Sequence, residues 1–158
     1  MSERGYRGYV GSRPVRGVAF PQRVQNLVVR DYAQRRGLAY RLSLVEHAMP
    51  GSYMILENLL DELLRLDGVI FFSAFMLPPD ADARQAVYDR IIAAGASLHA
   101  ALENRMAADA RSFAELEETI LVAQALPGTP FAGRYEKDGR PPAVRTATEA
   151  ALLHIANS

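Results

Sequence analysis

Four short apolar runs along the chain are typical of β-strands. Residues 7–11 form an apolar run beside glycine, and residues 69–72 are apolar throughout, as in parallel sheets covered on both faces. Residues 38–45 and 97–102 are predicted to form two further strands. His99 lies within the last of these, and its apolar neighbours favour a hydrogen-bonded core histidine over a ligand-binding one.

Between these runs, apolar residues recur every three or four positions, which predicts helices. The first helix is expected to begin at Pro21 and to stop at Gly37, because proline suits a first helical turn and glycine a helix end. Ser52 is the predicted cap of a second helix, and a third is expected to end near Gly95.

The C-terminal third of the chain shows a different pattern. Ser112 with Glu115 forms a capping-box pattern, which predicts the start of a helix. Residues 127–142 are rich in glycine and proline and form either an arm or a wrapped loop. Residues 143–156 are predicted to form a last helix.

Strands and helices therefore alternate with short connections, which indicates βαβ units and a parallel sheet. We expect a three-layer α/β domain over residues 1–105, with a short, mainly parallel sheet. Residues 106–158 are expected to form a helical extension and a Gly/Pro-rich segment packed on that domain. The 158 residues suffice for one such domain.

Composition and charge limit the functional classes. Lys and Arg number 18, as do Asp and Glu, and this zero net charge argues against a dedicated nucleic-acid binder. The chain has no cysteine, and its three histidines lack a helical metal-ligand spacing, so we expect no metal site and no cofactor. The first ten residues contain no apolar signal segment, and no apolar run reaches about 18 residues. A cytoplasmic protein without a membrane partner is the expectation.

Polar residues cluster where four of the predicted strands end. In open parallel sheets, ligands bind outside the carboxyl ends of the strands, near the point where strand order reverses. The residues expected there are Ser12, Arg13, Gln22, Gln25, Glu46, His47, Ser73, Met76, Glu103 and Asn104.

Three of these residues are candidate catalytic groups. Ser12 is a nucleophile or an anion ligand, and Glu46 or Glu103 transfers a proton. Each has a structural alternative: Ser12 is then a turn serine, Glu46 belongs to a hydrogen-bonded loop, and Glu103 pairs with Arg105.

The other candidates are predicted to bind substrate. Arg13 is expected to point toward the start of the helix near Pro21 and to hold a phosphate or carboxylate there. As an exposed loop residue, it is expected to contribute little to folding. Gln22 and Gln25 are expected to bind hydroxyl groups, and His47, Ser73, Met76 and Asn104 complete the binding set.

Part of the chain resembles the catalytic domain of serine recombinases. The similarity lies in Gly-Tyr-Val-Gly-Ser at residues 8–12, Asp-Gly-Val-Ile-Phe-Phe at 67–72 and Gly-Ala-Ser-Leu-His at 95–99. The winding that we expect for the sheet is therefore resolvase-like or flavodoxin-like, but the chain departs from the catalytic motifs of the family. Gly11 stands in place of the family's first arginine, Arg13 in place of its serine, and residues 73–78 replace its arginine-rich motif.

A second resemblance rests on several unusual strings in one order. They are Gly-Tyr-Arg-Gly-Tyr at residues 5–9, Ser-Arg-Pro at 12–14, Pro-Gln-Arg-Val-Gln-Asn at 21–26, Arg-Asp-Tyr at 30–32, Glu46, Met-Pro at 49–50 and Phe-Met-Leu-Pro at 75–78. This order resembles the sporadic carbohydrate cluster proteins. The resemblance implies a role in making polysaccharides or other sugar-containing products, with no catalytic residue to carry over.

Two functional hypotheses follow. The first is a metal-independent isomerase, lyase or hydrolase that acts on an anionic sugar or nucleotide-linked sugar. The second is a non-catalytic adaptor, or a self-associating partner of a pathway enzyme, that keeps a resolvase-like fold. A homo-oligomer is expected, with Ala147, Ala151 and Ile155 as a packing stripe. DNA strand exchange is disfavoured, since residues 73–78 contain no arginine to stabilise a phosphate.

Overall fold

The computed structural model describes residues 4–126 of the chain. Five strands form one sheet: β1 (Tyr6–Gly11), β2 (Tyr40–Glu46), β3 (Gly68–Phe71), β4 (Ser97–Ala100) and β5 (Arg105–Ala107). The helices are α1 (Gln22–Arg36), α2 (Met54–Asp61), α3 (Ala81–Ala93) and α4 (Ala110–Ala125), with single 3-10 turns at Leu63–Arg65 and Ala74–Met76. The predicted helix over residues 143–156 and the Gly/Pro-rich segment lie outside the described residues.

The sheet has the strand order β2-β1-β3-β4-β5, in which β5 alone among these strands runs antiparallel to its neighbour. Side chains from α1 pack on one face, where Tyr32 joins Ile70 and Phe72 in one core cluster. The opposite face carries α2, α3 and α4 in a second cluster with Phe71. The expected three-layer α/β fold with a mainly parallel sheet and a C-terminal helix is thereby confirmed.

The ends of α1 agree with the sequence prediction. Pro21 occupies the position before the first helical residue, and Gly37 follows the last one with a left-handed φ of 66°. The Gly37 N–H donates to the Gln34 carbonyl, so this conformation closes the final turn. Glycine adopts it without the steric cost of a Cβ atom.

Two predicted helix caps are wrong, because in each helix another residue supplies the oxygen that accepts from the first N–H groups. Tyr53, not Ser52, precedes α2 and offers no side-chain cap, because a distant carboxylate serves that helix. At α4 the cap is Asp109, whose Oδ1 accepts from the Ser112 N–H at 2.8 Å. Ser112 therefore lies inside the first turn. Spacing alone does not distinguish which of two capping residues is used.

The end of the sheet also differs from the prediction. β4 stops at Ala100, and a turn containing Asn104 at a φ of 54° leads into β5, which the sequence analysis missed. With three residues, β5 is too short to show an alternating pattern. The domain boundary predicted at residue 105 falls inside this strand. Phe113 and Leu116 of α4 continue the same core.

A buried ion pair fastens α4 to α3. The Arg84 guanidinium, 1% exposed, donates from Nη2 to Glu117 Oε1 at 2.5 Å and from Nε to Oε2 at 2.9 Å. The Tyr88 hydroxyl donates to the same carboxylate at 2.6 Å, and Arg84 Nη1 donates to the Pro79 carbonyl at 2.7 Å. The hydrogen bonds from Arg84 hold the pKa of Glu117 below its usual range.

Removing one partner of this pair is expected to be costly. Arg84→Met should lower the free energy of unfolding in urea by about 3–5 kcal/mol, because it leaves a carboxylate without its cation. The double variant Arg84→Met/Glu117→Leu should recover most of that loss, and Arg111→Met, at an exposed pair, should cost less than about 1 kcal/mol. Equal losses for Arg84→Met and Arg111→Met would contradict the assigned role.

Candidate functional site

A cavity of about 190 Å³ opens where the strand order reverses. The chain passes from β1 to β2 on one side and returns to β3 on the other side of β1, so the reversal lies between β1 and β3. Residues at and after the ends of these two strands line the cavity, with Gly11 and Arg13 on one side and Phe75 and Met76 on the other. We call this space the switch-point cavity.

Gly11 allows the walls of the cavity to approach each other. A Cβ atom at this position would lie 3.1 Å from the Glu46 carbonyl oxygen and 3.3 Å from the Met76 methyl group. Both distances are tighter than ordinary contacts, and one of them is to backbone that cannot easily move. Glycine therefore sets the width of the cavity between β1, β2 and the loop after β3.

Glu46, at the end of β2, holds the start of α2. Its Oε2 accepts from the Leu56 N–H at 2.8 Å, and its Oε1 accepts from the Ile55 N–H at 3.3 Å. The Tyr9 hydroxyl, on the neighbouring strand, donates to Oε2 at 3.0 Å. A carboxylate at a helix N-terminus satisfies free N–H groups and interacts favourably with the helix dipole. Burial raises the pKa of Tyr9, and the charge of Glu46 raises it further.

Ser12 and Arg13 fasten the loop between β2 and α2. Ser12 Oγ accepts from the Ala48 N–H at 2.7 Å. Arg13 Nη2 donates to the Met49 carbonyl at 2.7 Å and also to the Ser52 carbonyl. The guanidinium carbon lies 4.0 Å from the centre of the Tyr53 ring, a cation–π distance. The expectation that Arg13 points toward Pro21 is wrong, because the carbonyls of this loop provide its acceptors.

Gln25 is a structural residue in this arrangement. Its side chain is 1% exposed, and its Oε1 accepts from the Gly11 N–H at 3.0 Å. Its Nε2 donates to the Gly11 carbonyl at 2.7 Å and to the Phe20 carbonyl at 2.9 Å. These bonds satisfy the backbone of Gly11, where β1 has no pairing partner on β3. The amide therefore positions the cavity wall, and because it is buried and outside the cavity lining it is not placed to bind a substrate hydroxyl.

Ser73 and Glu103 form a second polar pair, behind the cavity wall. Ser73 Oγ donates to Glu103 Oε1 at 2.6 Å, and the Ala74 N–H donates to Oε2 at 2.9 Å. Burial raises the pKa of Glu103, although the hydrogen bonds from Ser73 and Ala74 partly offset that effect. Neither Ser73 nor Glu103 lines the switch-point cavity. The two candidate acid–base groups, Glu46 and Glu103, therefore do not face one common space.

The remaining candidates separate into two groups. Met76 lines the cavity, as expected. Gln22 and His47 are exposed and lie outside its lining. Asn104 Oδ1 accepts from Arg36 Nη2 at 2.7 Å, so it ties the turn before β5 to the end of α1.

Several residues of the cavity lining are not among the candidates from the sequence, and they include Tyr9, Tyr53 and Arg84. The sequence does contain a signal for Tyr9 as a lining residue. Tyr9 lies two residues before the end of β1, and as the neighbour of Val10 in a strand it is on the opposite face of the sheet. Arg84 has no such signal, because an arginine in a helix is normally solvated. Only the tertiary packing of α4 explains its burial.

His99 is a core histidine, as its apolar neighbours indicate. Its Nδ1 lies 2.7 Å from the Tyr32 hydroxyl, and its Nε2 lies 3.1 Å from Ser97 Oγ. Burial lowers the pKa of His99 to about 4, with a smaller contribution from the positive charge of Arg36. His99 is not among the residues that line the switch-point cavity.

Comparison with known proteins supports the fold and leaves the function open. The structure is similar to the N-terminal catalytic domain of TP901-1 integrase, with a TM-score of 0.55, 14% identity, and coverage of 75% of this chain and 94% of that chain. At this identity the likeness shows a serine recombinase catalytic-domain fold and nothing about activity. No protein-family model matches the chain, and no curated protein matches it.

Two further features bear on ligands and membranes. Within residues 4–126, no group of three or more His, Asp or Glu side chains is arranged to hold a metal ion. The helices of that same region are too short or too polar to cross a lipid bilayer.

The depressed pKa of His99 predicts a pH-dependent stability. The unfolded chain binds a proton at this histidine below about pH 6.5, whereas the folded chain does so only near pH 4. The free energy of unfolding should therefore fall by up to about 3 kcal/mol through this residue as the pH drops through that window. Urea unfolding of wild type and His99→Gln at several pH values measures the difference. Identical pH profiles for the two proteins would contradict the assignment.

Proposed function

We propose that this protein is an enzyme of carbohydrate biosynthesis that binds an anionic sugar in the switch-point cavity. The observation that supports it best is the position of the cavity, since the point where strand order reverses is the usual ligand site of open α/β sheets. The volume of 190 Å³ is below the roughly 300–1,000 Å³ of drug-sized ligand sites. The cavity therefore suits a single sugar ring or its anionic group better than a whole nucleotide-linked sugar.

Arg13 is the proposed anion ligand. A guanidinium has five N–H donors. The two bonds to the loop carbonyls use Nη2, which leaves the N–H donors of Nε and Nη1, on separate sides of the guanidinium, for single hydrogen bonds to a phosphate or carboxylate, as far as residues 4–126 show. The side chain is held by Tyr53 and by the loop, so little conformational entropy is lost when an anion binds.

Glu46 is the proposed group for proton transfer at the cavity. A carboxylate has about four acceptor positions, and three protein donors occupy Glu46. One position remains for a substrate hydroxyl. Isomerisation, elimination and hydrolysis each need such a proton acceptor and need no redox group. Ser12 and Glu103 serve better as positioning residues, because their bonds are made to the protein itself.

The adaptor hypothesis remains the second candidate, and one observation favours it. Half of the ten candidate residues form hydrogen bonds within the protein: Ser12, Gln25, Ser73, Glu103 and Asn104. Such bonding is typical of residues that shape a protein instead of reacting with a ligand. A fold maintained in this way can present a surface to a pathway enzyme without catalysis.

The binding proposal is tested by calorimetry with hexose phosphates and hexuronic acids. Arg13→Lys keeps the charge but loses the planar, fixed N–H donors of the guanidinium, so affinity for a bound anion should fall about 10- to 100-fold. The same change should lower the free energy of unfolding by about 1 kcal/mol, because Arg13 is half-buried and its bonds to the loop are lost, contrary to the expectation of an exposed residue with little effect on folding. Arg65→Lys, at an exposed arginine outside the cavity, is the matched control. Binding that is unchanged in Arg13→Lys, or no binding of any anionic sugar, would overturn the proposal.

Catalysis and the adaptor role are separated in the native host. Glu46→Gln keeps the size of the side chain and acceptor capacity on its oxygen, but it cannot accept a proton in the same way. If the protein is an enzyme, the sugar-containing product should be lost while the variant remains folded and bound to its partners. Normal product formation by the folded variant would favour the adaptor.

A further inference from the structure

The zero net charge of the chain hides a separation of charge across the sheet. On one face, α1 carries four arginines and one aspartate. On the opposite face, α4 carries one arginine and three glutamates. Because the two helices lie in different outer layers, the described domain has a basic side and an acidic side.

The exposed side of α1 has a regular pattern. Arg23, Leu27, Arg30 and Gln34 are exposed and recur at spacings of four, three and four residues. Since a helix turns once in 3.6 residues, these side chains form one stripe. Leu27, 58% exposed, lies between the two arginines, so an apolar residue is flanked by positive charge. We call this set the α1 stripe.

A groove between α3 and α4 has the complementary chemistry. Its apolar lining includes Ile92, Leu121 and Val122, and the last two are about half exposed. Asp89 from α3 and Glu118 from α4 line it as well, whereas Glu117 is already bound to Arg84. The groove of about 400 Å³ is therefore apolar with acidic sides.

The geometry points to a head-to-tail contact in which the α1 stripe of one copy docks in the α3–α4 groove of another copy. A helix that presents apolar anchors to an apolar groove is a common recognition mode. Here Leu27 enters the groove while Arg23 and Arg30 face Asp89 and Glu118. The opposite charges favour this orientation and disfavour contacts between two like faces.

This contact does not close on itself. The stripe and the groove lie on opposite sides of the sheet, so a copy that uses one of these surfaces in a contact still has the other surface free. Such heterologous contacts produce open chains or rings instead of two-fold dimers. The assembly should grow with protein concentration and weaken with salt, because charged pairs at its rim are screened.

The test uses two variants of the full chain. Variant one carries Arg23→Glu and Arg30→Glu, and variant two carries Asp89→Arg and Glu118→Arg. In sedimentation at about 100 µM, wild type should form species larger than a dimer, whereas each variant alone should be monomeric. An equal mixture should form a dimer and nothing larger, because only one intact stripe and one intact groove remain for each pair.

Two controls separate docking from a general effect of charge. Arg65→Glu/Arg105→Glu changes net charge as variant one does, and Glu115→Arg alters α4 outside the groove, so both proteins should assemble as wild type does. A wild-type protein that stays monomeric at this concentration would overturn the proposal. The same holds if that monomer binds nucleic acid or an unrelated protein through these surfaces. A mixture of the two variants that stays monomeric, or assembly that survives in variant one, would overturn it too.

Discussion

The candidate site depends on one capping interaction. The first N–H groups of α2 receive no hydrogen bond from the side chain of Tyr53, which precedes the helix, and a carboxylate from β2 accepts from them instead. Glu46 reaches them from the end of β2, nine and ten residues earlier in the chain, and accepts from Ile55 and Leu56. This bond fixes where β2 ends relative to α2 and directs the carboxylate toward Tyr9 on β1. Three elements thus meet at one buried side chain, beside the point where the strand order reverses. The cavity lies there because the loops after β1 and β3 diverge to opposite faces of the sheet.

The fold was accessible from the sequence because its signals are local. Residues 69–72 form an apolar run that only a buried strand accommodates well, and Gly37 ends α1 through a backbone conformation that glycine favours. What the sequence did not reveal depends on distant partners. The cap of α2 comes from Glu46, and the burial of Arg84 depends on Glu117, 33 residues away. No periodic pattern records such pairs, and β5 is too short to produce one.

The same difference between local signals and distant partners applies to the candidate site. Arg13, Glu46 and Met76, which were selected by their positions after the strands, line one cavity in the structure, since side chains after parallel strands share an edge. Such positions could not show that Gln25 and Ser12 use their polar atoms to hold the chain, because the acceptors and donors are backbone groups that any sequence provides. The residue type shows which hydrogen bonds a side chain can form, whereas the neighbouring backbone groups determine which of its polar atoms stay available for a ligand.

The central claim is that the switch-point cavity takes an anionic sugar against Arg13. A crystal structure of the protein with a bound hexose phosphate tests it most directly. The account predicts that a phosphate oxygen lies within hydrogen-bond distance of Nε or Nη1 of Arg13 and that a sugar hydroxyl lies within hydrogen-bond distance of Glu46. A ligand bound at another surface, with the cavity filled by protein side chains, would contradict it.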